Sequence, residues 1–599
     1  MNYSNTSIFF AEDMVIYERR DELMHKQKKG VPSQDKPWLK YYSEQNIEIQ
    51  LPHCKIYDLV HENNKEHPQD VALIYYGKKI TYAELFDNIE ITARAFATIG
   101  ICAGDTVVIS SANIPEVIYS FYALNRLGAI VNMVDPRTDL EHTHEYFQEM
   151  NTKAVVCIDA VYPRVIKAIK ETSVKEIIVV SPADSLPSLL KVFYKIKNAR
   201  KRQDTNENTV FWKEFLKKGE ASSFIDAKYK PGQVCVVAHT GGTTGKPKSV
   251  LLTDDNLNAV TYGYKYLGIP FKRGQVYFND LPPFIMYGLV LGIHTTLTYG
   301  LKVVTYPLFD SQGFPKQFAK YKPQHFSAVP EHLRYLIESP IIANMNLEFL
   351  ISPGVGGDSV NVTLEKQVNE FLSAHGCQYE VCKGYGMTEL AATACITFKG
   401  ANALGSIGIP FITNNFKIVN TDTGEECSYN EIGEIWISGP SVMKGYYKDD
   451  EATRQLFEYD ENGTCWVKTG DLGLITEEGL IFHKGRIRRI YLTDFENQPA
   501  KMYPLAVEEK FKECIDVQDC CVVGRKKKDS SSYELVAFVV KTGDAVTNTV
   551  VEQMLHEIAQ KSIPSYMHPV EYRFLSALPH TPIGKIDFRE LERVAEVTN

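Results

Sequence analysis

A short loop rich in glycine, threonine and lysine lies between two apolar runs, at residues 239–250, with the sequence HTGGTTGKPKSV. Glycines let backbone N–H groups approach an anion, threonine hydroxyls donate hydrogen bonds, and lysines supply positive charge. This combination suits a polyphosphate. The common nucleotide loop has four residues between its glycines and a helix that begins at the lysine. Here Gly241 and Gly245 are separated by three residues and Pro247 follows the lysine, so a P-loop ATPase or kinase is disfavoured.

A second group of residues that could bind a ligand or take part in a reaction is GYGMTE, at positions 384–389. Tyr385 is flanked by two glycines and offers an aromatic face to a purine. Thr388 can donate a hydrogen bond to an α-phosphate. Glu389 can hold Mg²⁺, an ion that binds proteins through one or two carboxylates together with phosphate oxygens. The pattern therefore predicts a nucleotide and metal site.

These two segments resemble the adenylate-forming superfamily, which contains acyl-CoA synthetases, adenylation domains and luciferases. Its phosphate loop usually reads Ser/Thr-Gly-Thr-Thr-Gly-x-Pro-Lys-Gly, and its motif Gly-Tyr-Gly-x-Thr-Glu is matched here without gaps. The chain departs from the pattern at Gly241 and at Ser249. The resemblance implies ATP, Mg²⁺ and a carboxylic acid as ligands. It assigns ATP or AMP binding to Thr240, Gly241, Gly242, Thr243, Thr244, Gly245, Lys246, Lys248, Gly384, Tyr385 and Gly386.

Four further positions match the family in order along the chain. Asp471, in Thr-Gly-Asp after a strand-like run, is interpreted as a carboxylate at a turn that accepts both ribose hydroxyls. Arg486 matches the arginine that also reaches the ribose, and Arg489 matches the hinge between the large and small domains. Lys585, in Pro-Ile-Gly-Lys, matches the catalytic lysine, whose charge would stabilise the reaction at the α-phosphate together with Thr388 and Glu389.

The chain departs again from the family between Tyr491 and Pro504. The usual pattern there is shorter and contains a glycine that lets pantetheine pass close to the backbone; YLTDFENQPAKMYP is longer and has none. The geometry of the step that uses the thiol is therefore in question. This departure keeps open an alternative function, an acyl-AMP ligase that loads a carrier protein.

The segment PPFIMYGL, at residues 282–289, matches the helix that lines the acyl pocket in the family. An aspartate is common there in domains that bind an α-amino acid, and none is present. The segment SPGVGGD, at residues 352–358, matches the glycine-rich pocket floor. We therefore expect an apolar acyl chain, with a pocket formed by Phe284, Ile285, Gly288, Gly356 and Gly357.

Composition narrows the class of protein. The chain has 599 residues, a length that predicts two or more domains, and its 44% hydrophobic and 23% charged residues are ordinary for a globular protein. A net charge of −9 disfavours a general nucleic-acid binder. The 12 cysteines form no Cys-x-x-Cys pair, which disfavours structural zinc and a disulfide framework and favours a cytoplasmic location.

Strand-like and helical segments alternate from residue 71 to residue 180, as in a parallel α/β domain. Examples are a helix at 115–127 and a capping box at Thr81 and Glu84. A buried strand is predicted at 347–351. The fold class is therefore α/β, with parallel subdomains and a β-rich portion in a large domain. The predicted divisions are an N-terminal extension at 1–40, a large domain that binds ATP and the acyl group at 41–488, and a small mobile α+β domain at 489–599.

Two segments have features that are also found in membrane-spanning or membrane-binding helices. Residues 281–300 contain no charged side chain and are long enough to span a bilayer, but their prolines, glycines and threonines favour a buried helix. Residues 185–202 combine apolar side chains with six lysines or arginines, a pattern that suits either peripheral membrane contact or a solvated helix. No secretory signal is recognised at the N-terminus.

The sequence predicts an AMP-forming acyl-CoA synthetase. A carboxylic acid, expected to be a medium- or long-chain fatty acid, would react with ATP to give acyl-AMP and pyrophosphate. Coenzyme A would then displace AMP and give acyl-CoA. Besides the carrier-protein ligase, a non-catalytic nucleotide-binding protein of the same fold stays open as an alternative, although Lys585, Glu389 and Asp471 weigh against it.

Overall fold

The computed structural model describes residues 30–42, 49–191, 194, 207–240, 247–307, 310, 313–496, 498–528, 530, 532–580 and 586–597. Local sequence signals explain several element boundaries. A proline at the first position and Gly128 in the left-handed conformation delimit the helix at Pro115–Leu127. Thr81 and Glu84 form the expected capping box. The helices described between residues 56 and 456 are Ile56–Asn64, Tyr82–Thr98, Pro115–Leu127, Leu140–Glu149, Tyr162–Ala168, Trp212–Glu220, Asp254–Leu267, Thr296–Thr298, Phe314–Tyr321, Pro330–Glu338, Val362–Ala374 and Asp450–Leu456.

The larger sheet joins a parallel half to an antiparallel half, and the two halves meet at Cys382–Met387. That strand runs parallel to Ser352–Val355 on one side and antiparallel to Ala392–Ile396 on the other. In spatial order the strands are Asn415–Val419, Gly433–Ser438, Cys465–Ile475, Ile481–Arg486, Ser406–Pro410, Ala392–Ile396, Cys382–Met387, Ser352–Val355, His325–Ala328, Val276–Asn279, Lys302–Thr305, Val71–Tyr75 and Lys78–Thr81, and Phe457–Tyr459 pairs with Cys465–Ile475.

One sequence-based strand is wrong. Residues 347–351 are not a strand; the strand is Ser352–Val355, which pairs in parallel with His325–Ala328. Its sequence, SPGV, has the composition of a turn. A glycine is needed inside it because a Cβ atom on Gly354 would lie 2.7 Å from the backbone oxygen of Phe326.

The second sheet has parallel strands at its centre and the glycine-rich loop at one edge. Val234–His239 and Ser249–Thr253 pair antiparallel, so the loop connects two neighbouring strands. Gly445–Tyr446 continues the edge beyond them. The spatial order is Gly445–Tyr446, Ser249–Thr253, Val234–His239, Ile130–Met133, Thr106–Ser110, Ala154–Ile158, Glu176–Val180 and Thr209–Phe211.

The uncharged segment at 281–300 is a buried helix, as expected, but it is wound mainly as a π-helix at Tyr287–Thr295. Residues 288–295 are buried in the core. Within the described parts of the chain, no helix is long and apolar enough to cross a membrane. Of the basic segment at 185–202, residues 185–191 and 194 are described; Leu189 is 79% exposed, and the remainder lies outside the described residues.

The C-terminal part has its own sheets and its own hydrophobic clusters. The departure at 491–504 is a β-hairpin, in which Tyr491–Phe495 pairs with Gln498–Met502. The added length is thus regular structure. The other elements are the helices Pro504–Phe511, Asn548–Ser562 and Phe588–Glu596, the short 3₁₀ turn Ser565–Met567, and a sheet of Val517–Lys526, Tyr533–Lys541 and Glu571–Leu575.

Candidate active site

The base of the glycine-rich loop is closed by two reciprocal hydrogen bonds. The Thr240 N–H donates to the Lys248 carbonyl oxygen over 3.0 Å, and the Lys248 N–H donates to Thr240 Oγ1 over 3.1 Å. The tip of the loop, with Gly241, Gly242, Thr243, Thr244, Gly245 and Lys246, lies outside the described residues. Their assignment to polyphosphate therefore stays a prediction.

The departure from the family pattern at Ser249 has a local structural partner. Ser249 is paired with His239 across the two strands, and Ser249 Oγ lies 3.3 Å from His239 Nδ1. His239 Nε2 lies 2.7 Å from Asn132 Oδ1, and its ring stacks on Tyr146 at 3.9 Å between centroids. Burial lowers the pKa of His239 to about 3, so the ring is neutral at physiological pH.

A chain of contacts joins the loop to the predicted metal ligand. Lys248 Nζ lies 4.7 Å from the centre of the Tyr446 ring, and the Tyr446 hydroxyl donates to Glu389 Oε1 over 2.7 Å. Burial raises the pKa of Glu389, and the Tyr446 hydroxyl and the charges of Lys248 and Arg486 offset part of that increase. Phosphate-loop and metal-site residues therefore share one electrostatic environment, although Glu389 follows Lys248 by 141 positions.

Gly384, Tyr385 and Gly386 lie on the strand Cys382–Met387, where the two halves of the larger sheet meet. The pairing shifts register between Tyr385 and Gly386, and the two strands approach so closely there that a Cβ atom on Gly386 would lie 1.7 Å from the Ala392 oxygen. Thr388 and Glu389 follow at once in a 3₁₀ turn, Thr388–Leu390. The strand thus presents the tyrosine and the turn positions the threonine and the carboxylate.

The predicted ribose ligands converge on one carboxylate. The Tyr385 hydroxyl donates to Asp471 Oδ2 over 2.7 Å, Arg486 Nε lies 3.1 Å from Asp471 Oδ1, and His483 Nε2 lies 3.6 Å from the same oxygen. Burial alone would raise the pKa of Asp471, but His483, Arg486 and Tyr385 together lower it below its usual value. Asp471 is therefore an ionised buried acceptor at neutral pH.

The interpretation of Asp471 as a turn residue is wrong. It lies inside the strand Cys465–Ile475, opposite Arg486 on the strand Ile481–Arg486. Gly470 adopts φ = +72°, which disturbs the strand locally without ending it. Strand pairing, rather than a turn, therefore brings Asp471 and Arg486 together.

The predicted acyl-pocket residues lie on two neighbouring segments. Phe284 is half-buried, with the Arg137 guanidinium 5.7 Å from its ring centre. Gly288 packs against the backbone, since a Cβ atom there would lie 2.4 Å from the Pro282 oxygen. Tyr287 approaches Gly356, whose hypothetical Cβ lies 3.6 Å from the ring. The Ile285 N–H donates a hydrogen bond to the Pro282 oxygen and so closes the turn that precedes the helix. Gly357 adopts φ = +82° and lies beside Val329.

The predicted hinge residue, Arg489, is held by the C-terminal part of the chain. Its guanidinium pairs with Glu508, donates to the Val522 oxygen over 2.9 Å, and lies 4.1 Å from the centre of the Phe588 ring. The predicted catalytic residue Lys585 lies outside the described residues, so its place in the site stays a prediction.

The residues described fit a nucleotide with its metal ion. Asp471 Oδ1 is buried and has no well-aligned hydrogen bond, which suits an acceptor of ribose hydroxyls. Among the residues that the structure describes, no three His, Cys, Asp or Glu side chains cluster as a metal site. A Mg²⁺ ion would therefore be held by Glu389 together with phosphate oxygens and water, the mode that this ion prefers.

Two residues of this site are absent from the sequence-based assignment. His483 reaches Asp471 because Gly473 and His483 are paired across the hairpin. Tyr446 reaches Glu389 because Gly445–Tyr446 pairs with Ser249–Thr253. No local pattern marks either residue, and only the long-range pairing of strands identifies them.

The chain matches known families over most of its length. The AMP-binding enzyme family matches residues 60–447, and the AMP-binding enzyme C-terminal domain matches residues 506–585. The first match alone spans more than half of the chain. The chain therefore belongs to the AMP-binding enzyme family, and the predicted membership of the adenylate-forming superfamily is confirmed.

Curated relatives and solved structures agree with this assignment. A long-chain-fatty-acid–CoA ligase of Bacillus subtilis is 28% identical over 93% of this chain and 97% of its own length. A probable 4-coumarate–CoA ligase 1 of Dictyostelium discoideum is 26% identical over 91% and 96%. ATP-bound MatB from Rhodopseudomonas palustris has a TM-score of 0.77 at 20% identity, covering 90% of this chain and 99% of that one. The predicted fold class is confirmed, and so is the predicted enzyme class, an AMP-forming acyl-CoA synthetase.

Proposed function

We propose that this enzyme activates a medium- or long-chain fatty acid with ATP and transfers the acyl group to coenzyme A. The proposed binding of ATP rests on one observation, the buried carboxylate of Asp471. The Tyr385 hydroxyl and Arg486 approach this carboxylate from two different strands. In this role Asp471 accepts the ribose hydroxyls and Tyr385 faces the adenine. Glu389 would hold a Mg²⁺ ion, which would offset the charge of the phosphates.

The chemistry needs no protein nucleophile. An acid carboxylate oxygen attacks the α-phosphorus, the bond to the β-phosphate oxygen breaks, and pyrophosphate leaves. The thiol of coenzyme A gives its proton to solvent, the resulting thiolate attacks the acyl carbonyl, and the bond to AMP breaks, so that acyl-CoA and AMP are released. The side chains position the reactants and stabilise charge, which are the main sources of catalysis in reactions at phosphorus.

The apolar character of residues 282–289 supports a fatty acid as the substrate. The segment contains no charged side chain, and Met286 and Leu289 are buried at 2% and 0% exposure. The resemblance to the long-chain-fatty-acid–CoA ligase points in the same direction, whereas the resemblance to a 4-coumarate–CoA ligase raises an aromatic acid as the competitor.

The test is pyrophosphate release with saturated acids of four to eighteen carbons and with 4-coumaric acid, each with and without coenzyme A. We expect the highest kcat/KM in the eight-to-eighteen-carbon range and multiple turnovers only with coenzyme A. A clear preference for 4-coumaric acid would refute the fatty-acid assignment. Failure of every acid to release pyrophosphate would refute catalysis by this site.

A second candidate, loading of a carrier protein, is motivated by the hairpin of Tyr491–Phe495 and Gln498–Met502, which replaces the family's glycine-containing segment. Acyl-AMP that accumulates in the presence of coenzyme A, and is consumed only when a carrier protein is added, would favour this candidate.

The proposed catalytic lysine can be tested separately. Lys585→Ala should lower the rate of pyrophosphate release by at least about 10²-fold, the usual loss when one electrostatic stabiliser is removed, with little change in the Kd of ATP. Lys561→Ala, at an exposed position of the helix Asn548–Ser562, is the matched control. Wild-type rates in Lys585→Ala would remove this residue from the mechanism.

A further inference from the structure

The described part of the predicted N-terminal extension is a folded segment. Residues 30–42, named here the N-terminal strap, contain two short helical turns, Pro32–Asp35 and Pro37–Tyr41. Trp38 lies in the second turn and is only 1% exposed. A tryptophan buried to this degree contributes a large contact area, so the strap is an integral part of the surface that it covers.

The backbone at Trp38 packs on the turn that closes one particular hairpin. Gly479 lies in the turn between Cys465–Ile475 and Ile481–Arg486 and adopts φ = +85°. A Cβ atom on Gly479 would lie 2.5 Å from the Trp38 nitrogen and 2.8 Å from its Cα. The backbones of the strap and the turn are therefore in direct contact, with no space for a side chain between them.

Polar contacts fix the strap on both sides of this tryptophan. The Ser33 N–H and hydroxyl donate to the two carboxylate oxygens of Glu426, over 3.1 and 2.8 Å. The Tyr429 hydroxyl donates to Asp35 Oδ2 over 2.8 Å, and the Tyr42 hydroxyl donates to the Pro410 oxygen over 2.7 Å. The strap is thus attached to the strand Ser406–Pro410 and to the connection between Asn415–Val419 and Gly433–Ser438, in the antiparallel half of the larger sheet.

The hairpin under the strap carries the proposed ribose site. Asp471 is paired with Arg486, and the pairing runs from there to Ile475 and Ile481 beside the turn. Asp471 and Ile475 are four residues apart, about 13 Å along a strand. The pairing is irregular between Leu472 and Gly473, so the ladder of hydrogen bonds is locally disrupted between the turn and Asp471. Contacts at the turn therefore help to decide how the two strands are aligned.

We infer that the N-terminal strap is a positioning element of the nucleotide site, which holds Asp471 and Arg486 in register by clamping the Gly479 turn. Trp38 acts through the hairpin and does not touch the nucleotide. The inference rests on the proposed function, in which this carboxylate and this arginine bind the ribose. It assigns to the N-terminal segment a role in nucleotide affinity.

The test compares two buried tryptophans. Trp38→Ala removes the buried side chain that anchors the strap, and so loosens the backbone contact with the Gly479 turn. Trp212→Ala, at a side chain that is 5% exposed, removes a similar contact at the opposite edge of the second sheet, beside Thr209–Phe211. The Kd of AMP is measured by titration calorimetry, together with the thermal midpoint of each variant. We expect Trp38→Ala to weaken AMP binding about 5- to 20-fold, Trp212→Ala to leave it unchanged at a comparable loss of thermal stability, and Trp38→Phe to restore most of it.

A milder variant keeps the test decisive if Trp38→Ala does not fold. Glu426→Ala removes both bonds from Ser33 and leaves the tryptophan in place, and we expect a weakening of two- to fivefold. With an acid that the enzyme activates, the KM of ATP should rise by the same factor as the AMP Kd. The KM of the acid should stay unchanged. An unchanged AMP Kd in both strap variants would overturn the inference. Wild-type protein that fails to bind AMP would instead contradict the proposed function.

Discussion

Arg486 and Arg489 are three residues apart, yet their side chains are held by carboxylates of two different parts of the chain. Arg486 lies 3.1 Å from Asp471 in the β-rich portion, whereas Arg489 pairs with Glu508 in the helix Pro504–Phe511. The 3₁₀ turn Ile487–Arg489 connects them. If the C-terminal part rotates as the resemblance implies, Arg489 moves with it. The backbone dihedral angles that change are then those of Ile487 and Arg488.

Replacing Arg489 should destabilise the C-terminal part locally. Glu508 is 4% exposed and, among the described residues, keeps only the hydrogen bond from the Val522 N–H once its ion-pair partner is removed, so Arg489→Met should cost about 3–5 kcal/mol. Hydrogen exchange of the strand Val517–Lys526 measures the effect. Arg593→Gln, at a side chain that is 70% exposed and paired on the surface, is the control and should stay within about 0.5 kcal/mol. Equal exchange in both variants would contradict the anchoring role of Arg489.

Asp471→Asn should weaken nucleotide binding with little effect on folding. The amide keeps the shape of the side chain but loses the charge that accepts hydrogen bonds, at a cost of about 1.5–3 kcal/mol, or roughly a 10- to 100-fold higher AMP Kd. Calorimetric titration with AMP provides the measurement. Asp422→Asn, at a carboxylate that is 72% exposed, should bind AMP like the wild type. Wild-type affinity in Asp471→Asn would show that the ribose is bound elsewhere.

The Mg²⁺ requirement should rise in mild acid. Burial raises the pKa of Glu389 above its ordinary value of 4.5. Because only the ionised carboxylate binds the ion, metal binding is lost as the pH falls through this raised pKa, at a higher pH than for an exposed glutamate. Mg²⁺ titrations of pyrophosphate release between pH 5 and 8 test this.

Glu389→Gln is the control for that series. It should release pyrophosphate about 10²-fold more slowly and show only the pH dependence that the nucleotide itself contributes. The interpretation fails if the half-saturating Mg²⁺ concentration of the wild type changes with pH no more than that of Glu389→Gln.

Gly288→Ala should perturb the proposed acyl pocket. The new methyl group would lie 2.4 Å from the Pro282 oxygen, so the backbone must move. We expect a destabilisation of about 1–3 kcal/mol and a higher KM for the acid, with the KM of ATP nearly unchanged. Gly400→Ala is the matched control, because its Cβ atom would meet no atom within 4 Å. Unaltered acid kinetics in Gly288→Ala would place the pocket away from this helix.

Local signals made much of the fold predictable. The helix Pro115–Leu127 has its expected bounds because proline begins it and a left-handed glycine follows it. The strand Ser352–Val355 was not predicted because its proline and glycine are typical of turns. The π-helical winding at Tyr287–Thr295 was not predicted either, since an apolar run specifies burial but not the helix type.

The candidate site was predictable where its residues are consecutive, as in GYGMTE. It was not predictable where strands from distant segments meet. Asp471 was expected in a turn, but the carboxylate is set by its pairing with Arg486 across a hairpin. Tyr446 contacts Glu389 only because residues 445–446 extend the edge of the second sheet. The spacing of residues along the sequence does not predict which distant strands pair.

The pairing of Ser249 with His239 has a consequence for how sequences of this kind are compared. The hydroxyl of Ser249 faces His239 Nδ1, so a glycine at position 249, although common in the family, would remove a neighbour that the imidazole contacts. Positions 239 and 249 should therefore covary among relatives, with serine retained where histidine is present. A search pattern that treats each position independently would score Ser249 as a mismatch and would miss its contact with His239.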